Sequence, residues 1–384
     1  MSYPITASAI ANCLGTEATA VFDRAFTGAT AFRSAREVYD VAFETMVGEM
    51  PALASSDPLA CPMTRIATLV LAAARQLRPA VQAAADRWGA RRVAYVFASS
   101  TGGVEATERM LSPQPQLPVG PDYHYANHGI DATSSAVTAY FGIAGVTLAV
   151  STACSSGLKA LGSAVRLLDH GLADAVVVAS ADSLSRTTLL GFHSLGLTAP
   201  GPTRPFSNDR AGITLGEGAA FVLLERTGTA AAWLRGIGVA SDAYHHTTPH
   251  PEAVGGITAM RQALDGAQVS PNDISYVSAH GTGTAQNDAT EALAIRTVFE
   301  RAVPVTATKS LTGHTLGTAG LTSVALAVES LRRQAITPTL RYTPDATLGV
   351  TIVDAARLAQ LDHILVNAFG FGGSNASTVI SRVA

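Results

Sequence analysis

The chain predicts an α/β fold with buried strands, and three observations carry that prediction. Short apolar runs rich in β-branched residues alternate with longer small-residue stretches of helical period. Hydrophobic residues make up 47% of the 384 and charged residues only 14%, with 34 glycines spread along the chain, which fits a compact, well-buried enzyme and argues against disorder. One strand-to-helix unit also recurs: VTLAVSTACSSGLKALGSAVRLLDHG is echoed about 157 residues later by VPVTATKSLTGHTLGTAGLTSVALAVESL.

Taken in order, strands are predicted over Val93–Ala98, Val146–Val150, Ala175–Ala179, Ala219–Leu224, Ile274–Ser278, Val303–Ala307 and Ile364–Ala368. Each is a short, nearly continuous apolar run, as strands covered by helices on both faces are. Helices are predicted over 64–86, 154–170, 252–267, 286–300 and 317–334. A second pairing relates ADAVVVASAD to HILVNAFGFG. Two halves, 1–228 and 229–384 with a seam in RTGTAA at 226–231, would each place functional residues at the carboxyl ends of strands and share one site.

Composition excludes several function classes. A net charge of -3 offers no field for nucleic acid or an acidic membrane surface. No stretch reaches about 18 uninterrupted apolar residues, and MSYPITASAIANCLG lacks a basic start and an apolar core, so a soluble cytoplasmic protein is expected. Cys13, Cys61 and Cys154 are odd in number and without CxxC spacing, which makes neither a disulfide framework nor a zinc finger. Lysine is scarce, with Lys159 and Lys309 alone, so each gains weight.

Cys154 in TACSSG follows a strand and opens a helix whose apolar positions Leu158, Leu161, Val165 and Leu168 run to Gly171. Free N–H groups and the positive helix end there would lower a thiol's pKa, which suits a nucleophile. Free cysteine is equally at home as a small buried residue, and this stretch alone does not decide. His280 in AHGTGT, and Lys309 with His314 in TKSLTGHTLGTAG, likewise sit just past strands. Zinc is the competing reading of one cysteine with two histidines, but HExxH and CxxC spacings are absent. The HHTTPH cluster, with His245, His246 and His250, reads as a channel or surface loop. NAFGFGGSN lacks the helix that a dinucleotide motif needs, and is instead a tight turn presenting backbone N–H groups.

Taken together, TACSSG, AHGTGT, TKSLTGHTLGTAG and NAFGFGGSN, in that order and spacing, resemble the β-ketoacyl-acyl carrier protein synthases of the thiolase superfamily, of the elongating Cys-His-His type. RPFSNDRAGITLGEGAAFVLLE and DAYHHTTPHPEAVGG resemble the same family, from about residue 90 onwards. The resemblance implies a thiolase-like fold of duplicated βαβαβαββ halves in five αβαβα layers. It implies that Cys154 takes an acyl group from an acyl carrier protein, with the N–H groups of Cys154 and Phe371 as oxyanion hole. His280 and His314 would donate to the thioester carbonyl of malonyl carrier protein, with no metal or cofactor needed. Lys309 would keep the imidazole of His314 neutral. Thr282, Thr284 and Thr247 would contact the pantetheine arm, and Phe371 would gate the acyl pocket, given freedom by Gly370, Gly372 and Gly373.

Two departures stand out: Ser323 replaces a glutamate often found there, leaving Glu291 or Glu217 to partner Lys309, and YPITASAIANCLGTE replaces the usual N-terminal motif. Arg65, Arg75 and Arg78 are candidates for docking an acidic carrier protein. A homodimer is implied, or a heterodimer with a ketosynthase-like paralogue. A non-catalytic subunit of the chain-length-factor kind is the alternative, which the presence of Cys154, His280 and His314 opposes. A degradative thiolase would want a second, late cysteine, and NAFGFGGSN has none. The pathway is type II fatty acid synthesis or a specialised one such as polyketide or aryl-polyene assembly, towards which TACSSG and the short loop LTAPGPTRPF lean, with acyl length set by pocket residues from 122–143 and from the dimer partner.

Overall fold

The computed structural model describes residues 2–52, 64–111 and 124–383; Cys61 and the first two positions of the expected pocket segment lie outside these. Eleven strands form the main sheet: β1 (Tyr3–Asn12), β2 (Val93–Ala98), β3 (Thr147–Val150), β4 (Ala175–Asp182), β5 (Gly218–Glu225), β6 (Ala232–Ser241), β7 (Ile274–Ser278), β8 (Pro304–Thr306), β9 (Thr351–Ile352), β10 (His363–Gly370) and β11 (Ser374–Ser381). Their order is β9-β8-β7-β10-β11-β6-β1-β5-β4-β2-β3. The principal helices are α1 (Arg65–Trp88), α2 (Ser134–Phe141), α3 (Ser156–Asp169), α4 (Val254–Ala267), α5 (Ala285–Val298) and α6 (Ala319–Arg333).

The sheet repeats itself. In β3-β2-β4 the strands are parallel, and β5 and β1 follow in alternating antiparallel sense. β8-β7-β10 are likewise parallel, with β11 and then β6 antiparallel. The two sets join where Tyr3, Pro4 and Ile5 pair with Leu234, Trp233 and Ala232.

Strand alternation builds three cores, and these define the layers. Val176 and Val178 of β4, and Ile364 and Val366 of β10, face a central cluster with Leu158 and Leu161 of α3 and Leu321 and Val324 of α6. Val177 and Ala179 turn the other way, towards Leu69, Leu77 and Val81 of α1. Leu365 and Val379 meet Met260, Leu264 and Ile295 of α4 and α5. Helix α6 is buried without interruption from Ala319 to Leu331, being sandwiched between the two halves of the sheet. The result is helix, sheet, helix pair, sheet, helix: the thiolase-like architecture.

All seven predicted strands and five predicted helices form, within a few residues of the expected bounds. The periodicity passed over β1 and β6. In β6 the reason is packing: a Cβ on Gly238 would lie 1.9 Å from the carbonyl oxygen of Ala259, so the strand is glycine-bearing because α4 lies directly on it. Gly238→Ala is therefore expected to cost about 1–3 kcal/mol by overpacking. Gly191→Ala, in the helix Arg186–Ser194 and with nothing within 4 Å of a new Cβ, should instead gain about 0.5–1 kcal/mol. Urea denaturation of the two variants checks both signs, and equal midpoints would refute the packing argument.

Candidate active site

Four strand ends converge on one crevice. After β3 the chain turns at Ala153, whose φ of 50° lies in the left-handed region and costs an alanine about 1–2 kcal/mol. Ser156 closes that turn: its Oγ accepts from Thr152 N at 2.8 Å and donates to the Ala153 carbonyl at 2.6 Å. Cys154 is thereby held just ahead of α3. Past β7, the amides of His280 and Gly281 donate to the Glu291 carboxylate at 2.7 and 2.8 Å. Past β8, Lys309 opens a one-turn helix, Lys309–Thr312. His314 follows, its N–H bonded to the Thr214 carbonyl at 2.7 Å and its carbonyl to the Gly216 N–H at 3.0 Å. Past β10 comes the turn bearing Phe371.

The side chains meet in a defined order. His314 Nε2 lies 3.1 Å from Cys154 Sγ, while His314 Nδ1 accepts the Leu316 N–H at 3.2 Å, so its ring proton is on Nε2. The Lys309 ammonium, which can only donate, lies 3.1 Å from His280 Nδ1 and also bonds the His280 carbonyl. That contact puts the proton of His280 on Nε2 as well. The two rings stand at 85° with centroids 5.3 Å apart.

Burial governs the electrostatics. Cys154, His280, Lys309 and His314 are each no more than 6% exposed. Desolvation holds both imidazoles well below the usual histidine range, and the Lys309 charge lowers them further. Burial brings Lys309 itself down to about 8, opposed by the charge of Glu291. The expected depression of the Cys154 thiol is overturned: burial pushes it up to about 11, and Lys309 with the N–H groups of Cys154 and Phe371 recovers only part of that. Asp182, buried at the end of β4, raises it further. The ligand atoms of Cys154, His280 and His314 lie within 4.8 Å of one another, as a metal would also require. A lysine ammonium against one of those rings opposes a second cation there.

Other expectations are amended. Lys309 contacts His280 rather than His314, which it reaches only through its field. Glu217 does not partner Lys309, because it binds Arg65 and the amides of Met50 and Leu184. Arg65 is thus a largely buried structural residue rather than a docking group, and Arg78 lies over the Tyr140 ring at 4.5 Å. Ser323 faces Thr308, hydroxyl to hydroxyl, at 3.2 Å. Gly370 is required by close approach: a Cβ there would lie 3.1 Å from the amide nitrogens of both Cys154 and Ser155. Only Gly372, at φ 76° with nothing within 4 Å, has the open space a moving gate needs.

A narrow crevice connects these groups and is lined by Thr247, Thr282, Thr284, Phe371 and, unanticipated from sequence, Phe192, Asp242 and Asn375. Phe192 stacks on Phe371 with centroids 5.6 Å apart. In the HHTTPH loop, Thr247 to Pro249 line the crevice while His245 and His246 are exposed.

Comparison with known proteins agrees with this geometry. Residues 43–230 match the N-terminal domain of the beta-ketoacyl synthases, and 231–343 their C-terminal domain. The 3-oxoacyl-[acyl-carrier-protein] synthase 2 of Coxiella burnetii is 33% identical over 77% of this chain and 76% of its own length. That of Staphylococcus aureus is 30% identical over 83% and 82%. A chain of the complex between the ketosynthase ApeO and its chain length factor ApeC, from Xenorhabdus doucetiae, superposes with a TM-score of 0.92 at 32% identity, covering 100% of this chain and 98% of that one. The chain belongs to the β-ketoacyl synthase family, the thiolase-like condensing acyltransferases.

Proposed function

We propose that this chain elongates an acyl group held on Cys154 by two carbons, through decarboxylative condensation with malonyl carrier protein. The observation that carries this reading is the pair of neutral imidazoles, each with its proton on Nε2, beside a buried thiol. In the first half-reaction Cys154 sulfur attacks the thioester carbonyl of an acyl carrier protein. The N–H groups of Cys154 and Phe371 hold the oxyanion, and the cysteine's proton leaves on the pantetheine thiol. In the second, the malonyl carboxylate departs as carbon dioxide, and the enolate oxygen is held by the Nε2–H groups of His280 and His314. The enolate carbon then attacks the acyl-cysteine carbonyl; the cysteine leaves as thiolate and the 3-oxoacyl chain stays on the carrier protein. Thr247, Thr282 and Thr284 would hold the pantetheine arm, and Phe371 would part the acyl pocket from the entrance.

In this reading residues 1–228 supply the nucleophile and 229–384 the two histidines. Edge strand β3 is a natural seam for a second subunit: Val146 and Leu148 are 39% and 38% exposed there, and an unpaired apolar edge invites another strand. Either a second copy or a paralogue fits it. The ApeO–ApeC pair supports a heterodimer and a specialised pathway, and equally favours the second reading, in which this chain is itself the silent partner.

One experiment separates the two. Incubated with a panel of acyl carrier proteins, alone and with a paralogous subunit, the protein should gain an acyl mass that Cys154→Ala abolishes; a chain that never acquires it is not the catalytic subunit. Cys154→Gln is expected to decarboxylate malonyl carrier protein while losing condensation, since the enolate site does not include the thiol. Loss of both activities in a folded variant would sink that division of labour.

The pH dependence follows from the histidines. Their folded pKa values are depressed, so the neutral donor form persists as pH falls through 6.5 and is lost only further down. Decarboxylation by Cys154→Gln should therefore stay level from about pH 7 to about pH 6, below the range in which Lys309 titrates. A loss centred on the ordinary histidine value would show that one imidazole is not desolvated.

A further inference from the structure

The turn that carries Phe371 is tied to the turn that carries Cys154 by one side-chain contact. Ser155 is fully buried, and its Oγ lies 2.8 Å from the Thr152 carbonyl, 3.2 Å from Thr152 Oγ1 and 2.9 Å from Ser374 Oγ. A carbonyl can only accept, so the single proton of Ser155 goes to Thr152 and the contact with Ser374 must be donated by Ser374. Ser374 begins β11, three residues past Phe371. At the other end of the turn, Gly370 lies flat on the amides of Cys154 and Ser155. Between these two anchors Gly372 and Gly373 both have positive φ, at 76° and 70°. Elsewhere the turn is held by backbone bonds, from Gly372 N–H to the His246 carbonyl at 2.8 Å and from Asp242 N–H to the Gly373 carbonyl at 2.9 Å, by Asn375 Nδ2, which donates to the Gly373 carbonyl at 3.1 Å, and by Phe192 stacked on Phe371.

We propose that the Ser374-to-Ser155 hydrogen bond is a latch that sets where the Phe371 N–H stands over Cys154 sulfur, making Ser155 and Ser374 positioning residues of the oxyanion hole. The latch rests on the reading of Phe371 N–H as an oxyanion donor. With it closed, the nucleophile turn, already fixed by Ser156, sets the distance to a turn whose far end is otherwise anchored to β6 and β10, through the pairing of Ser374 with Ser241 and Gly370, and not to Cys154. Opening it leaves those pairings and Gly370 in place but removes the side-chain tie between the two turns, so the Phe371 N–H is no longer held to one position over the sulfur. The Phe371 N–H favours the thiolate of Cys154, so misplacing it disfavours that form.

The test uses the reactivity of Cys154 towards iodoacetamide as a function of pH, which needs no carrier protein. Ser374→Ala, which removes the donor, and Ser155→Ala, which removes the acceptor, should move the alkylation profile to higher pH and slow labelling at neutral pH by about threefold to tenfold. Ser374→Thr, which keeps the hydroxyl, should follow the parent profile. A purely structural hydroxyl would lower thermal stability without moving the profile; Ser374→Ala and Ser155→Ala tracing the parent curve while folded would overturn the latch. In acyl transfer from a carrier protein, Ser374→Ala should lower kcat with little change in KM. If the parent protein accepts an acyl group from no carrier protein, the synthase reading fails, while the alkylation comparison still decides whether the latch exists.

Discussion

The site exists because two backbones touch. Gly370, at the end of β10, lies against the amides of Cys154 and Ser155, where a Cβ would come within 3.1 Å of both nitrogens, tighter than nearly all side-chain contacts. Cys154, the proposed nucleophile, comes from one half of the repeated sheet, and the histidines and the Phe371 turn from the other. That contact requires the helices behind it to pack just as closely. A Cβ on Gly157 of α3 would lie 3.0 Å from the Gly317 carbonyl, and one on Gly320 of α6 would lie 2.8 Å from Leu158 Cγ. Small residues at these crossings are thus part of the catalytic geometry, although none of them carries chemistry. Widening the gap by one methyl group would separate the thiol from His314, now 3.1 Å away.

Close packing also excludes water, and from that follows the electrostatic character of the site. Among the described residues Lys309 is the one lysine buried at the crevice, and its charge is tolerated because Glu291 lies under the same loop. Glu291 is in turn held by two amides and by Asn367 Nδ2 at 3.0 Å. A buried charge without such support would neutralise itself by shifting its pKa. Here the lysine stays mostly protonated at neutral pH, fixes the tautomer of His280 and keeps both rings uncharged. One cation, two neutral donors and one thiol form a set in which each member's state depends on the others.

How legible this was in the sequence depends on the range of the interactions. Strands such as Val93–Ala98 and Ile274–Ser278 were readable because a strand covered on both faces must be apolar throughout, a local property. β6 was not, because its glycines answer to Ala259 and Ala263 on a helix that the strand's own sequence does not reveal. The catalytic trio was legible as three polar interruptions after apolar runs, and the echo between halves tied them to one crevice. Its protonation states were not. A helix N-terminus suggests an acidic thiol, but that argument assumes solvent, and burial reverses the sign. Arg65 likewise looked like a free surface cation until Glu217, some 150 residues away in sequence, came to lie against it. Asp182 did leave a trace, a carboxylate ending the otherwise apolar AVVVASAD. Read as a strand, that run should have prompted the question of what the carboxylate binds; it accepts from Ser99 Oγ and from the amides of Ser100 and Thr101, each at 2.8 Å.

The neutral resting thiol bears on the order of events in acyl transfer. A thiolate formed ahead of substrate would be exposed to oxidants and alkylating agents, as low-pKa cysteines are. A thiol held up near 11 by burial is protected, and its activation must coincide with substrate entry. His314 does not act as the resting base, since its Nδ1 is taken by the Leu316 N–H and its Nε2 carries the proton. In the proposed reaction what remains is stabilisation of charge as it appears: the Nε2–H of His314, the two backbone N–H groups and the field of Lys309 all favour negative sulfur, and the departing pantetheine thiolate would accept the proton. In the proposed second step the His314 Nε2–H, joined by that of His280, would serve the enolate, when sulfur is acylated and no longer competes for it. In the proposed cycle preorganised donors rather than a base would therefore serve both half-reactions with neither histidine changing its protonation state, while Cys154 gives its proton to the pantetheine thiolate and regains one from solvent after condensation; burial of two neutral histidines beside a lysine secures that property.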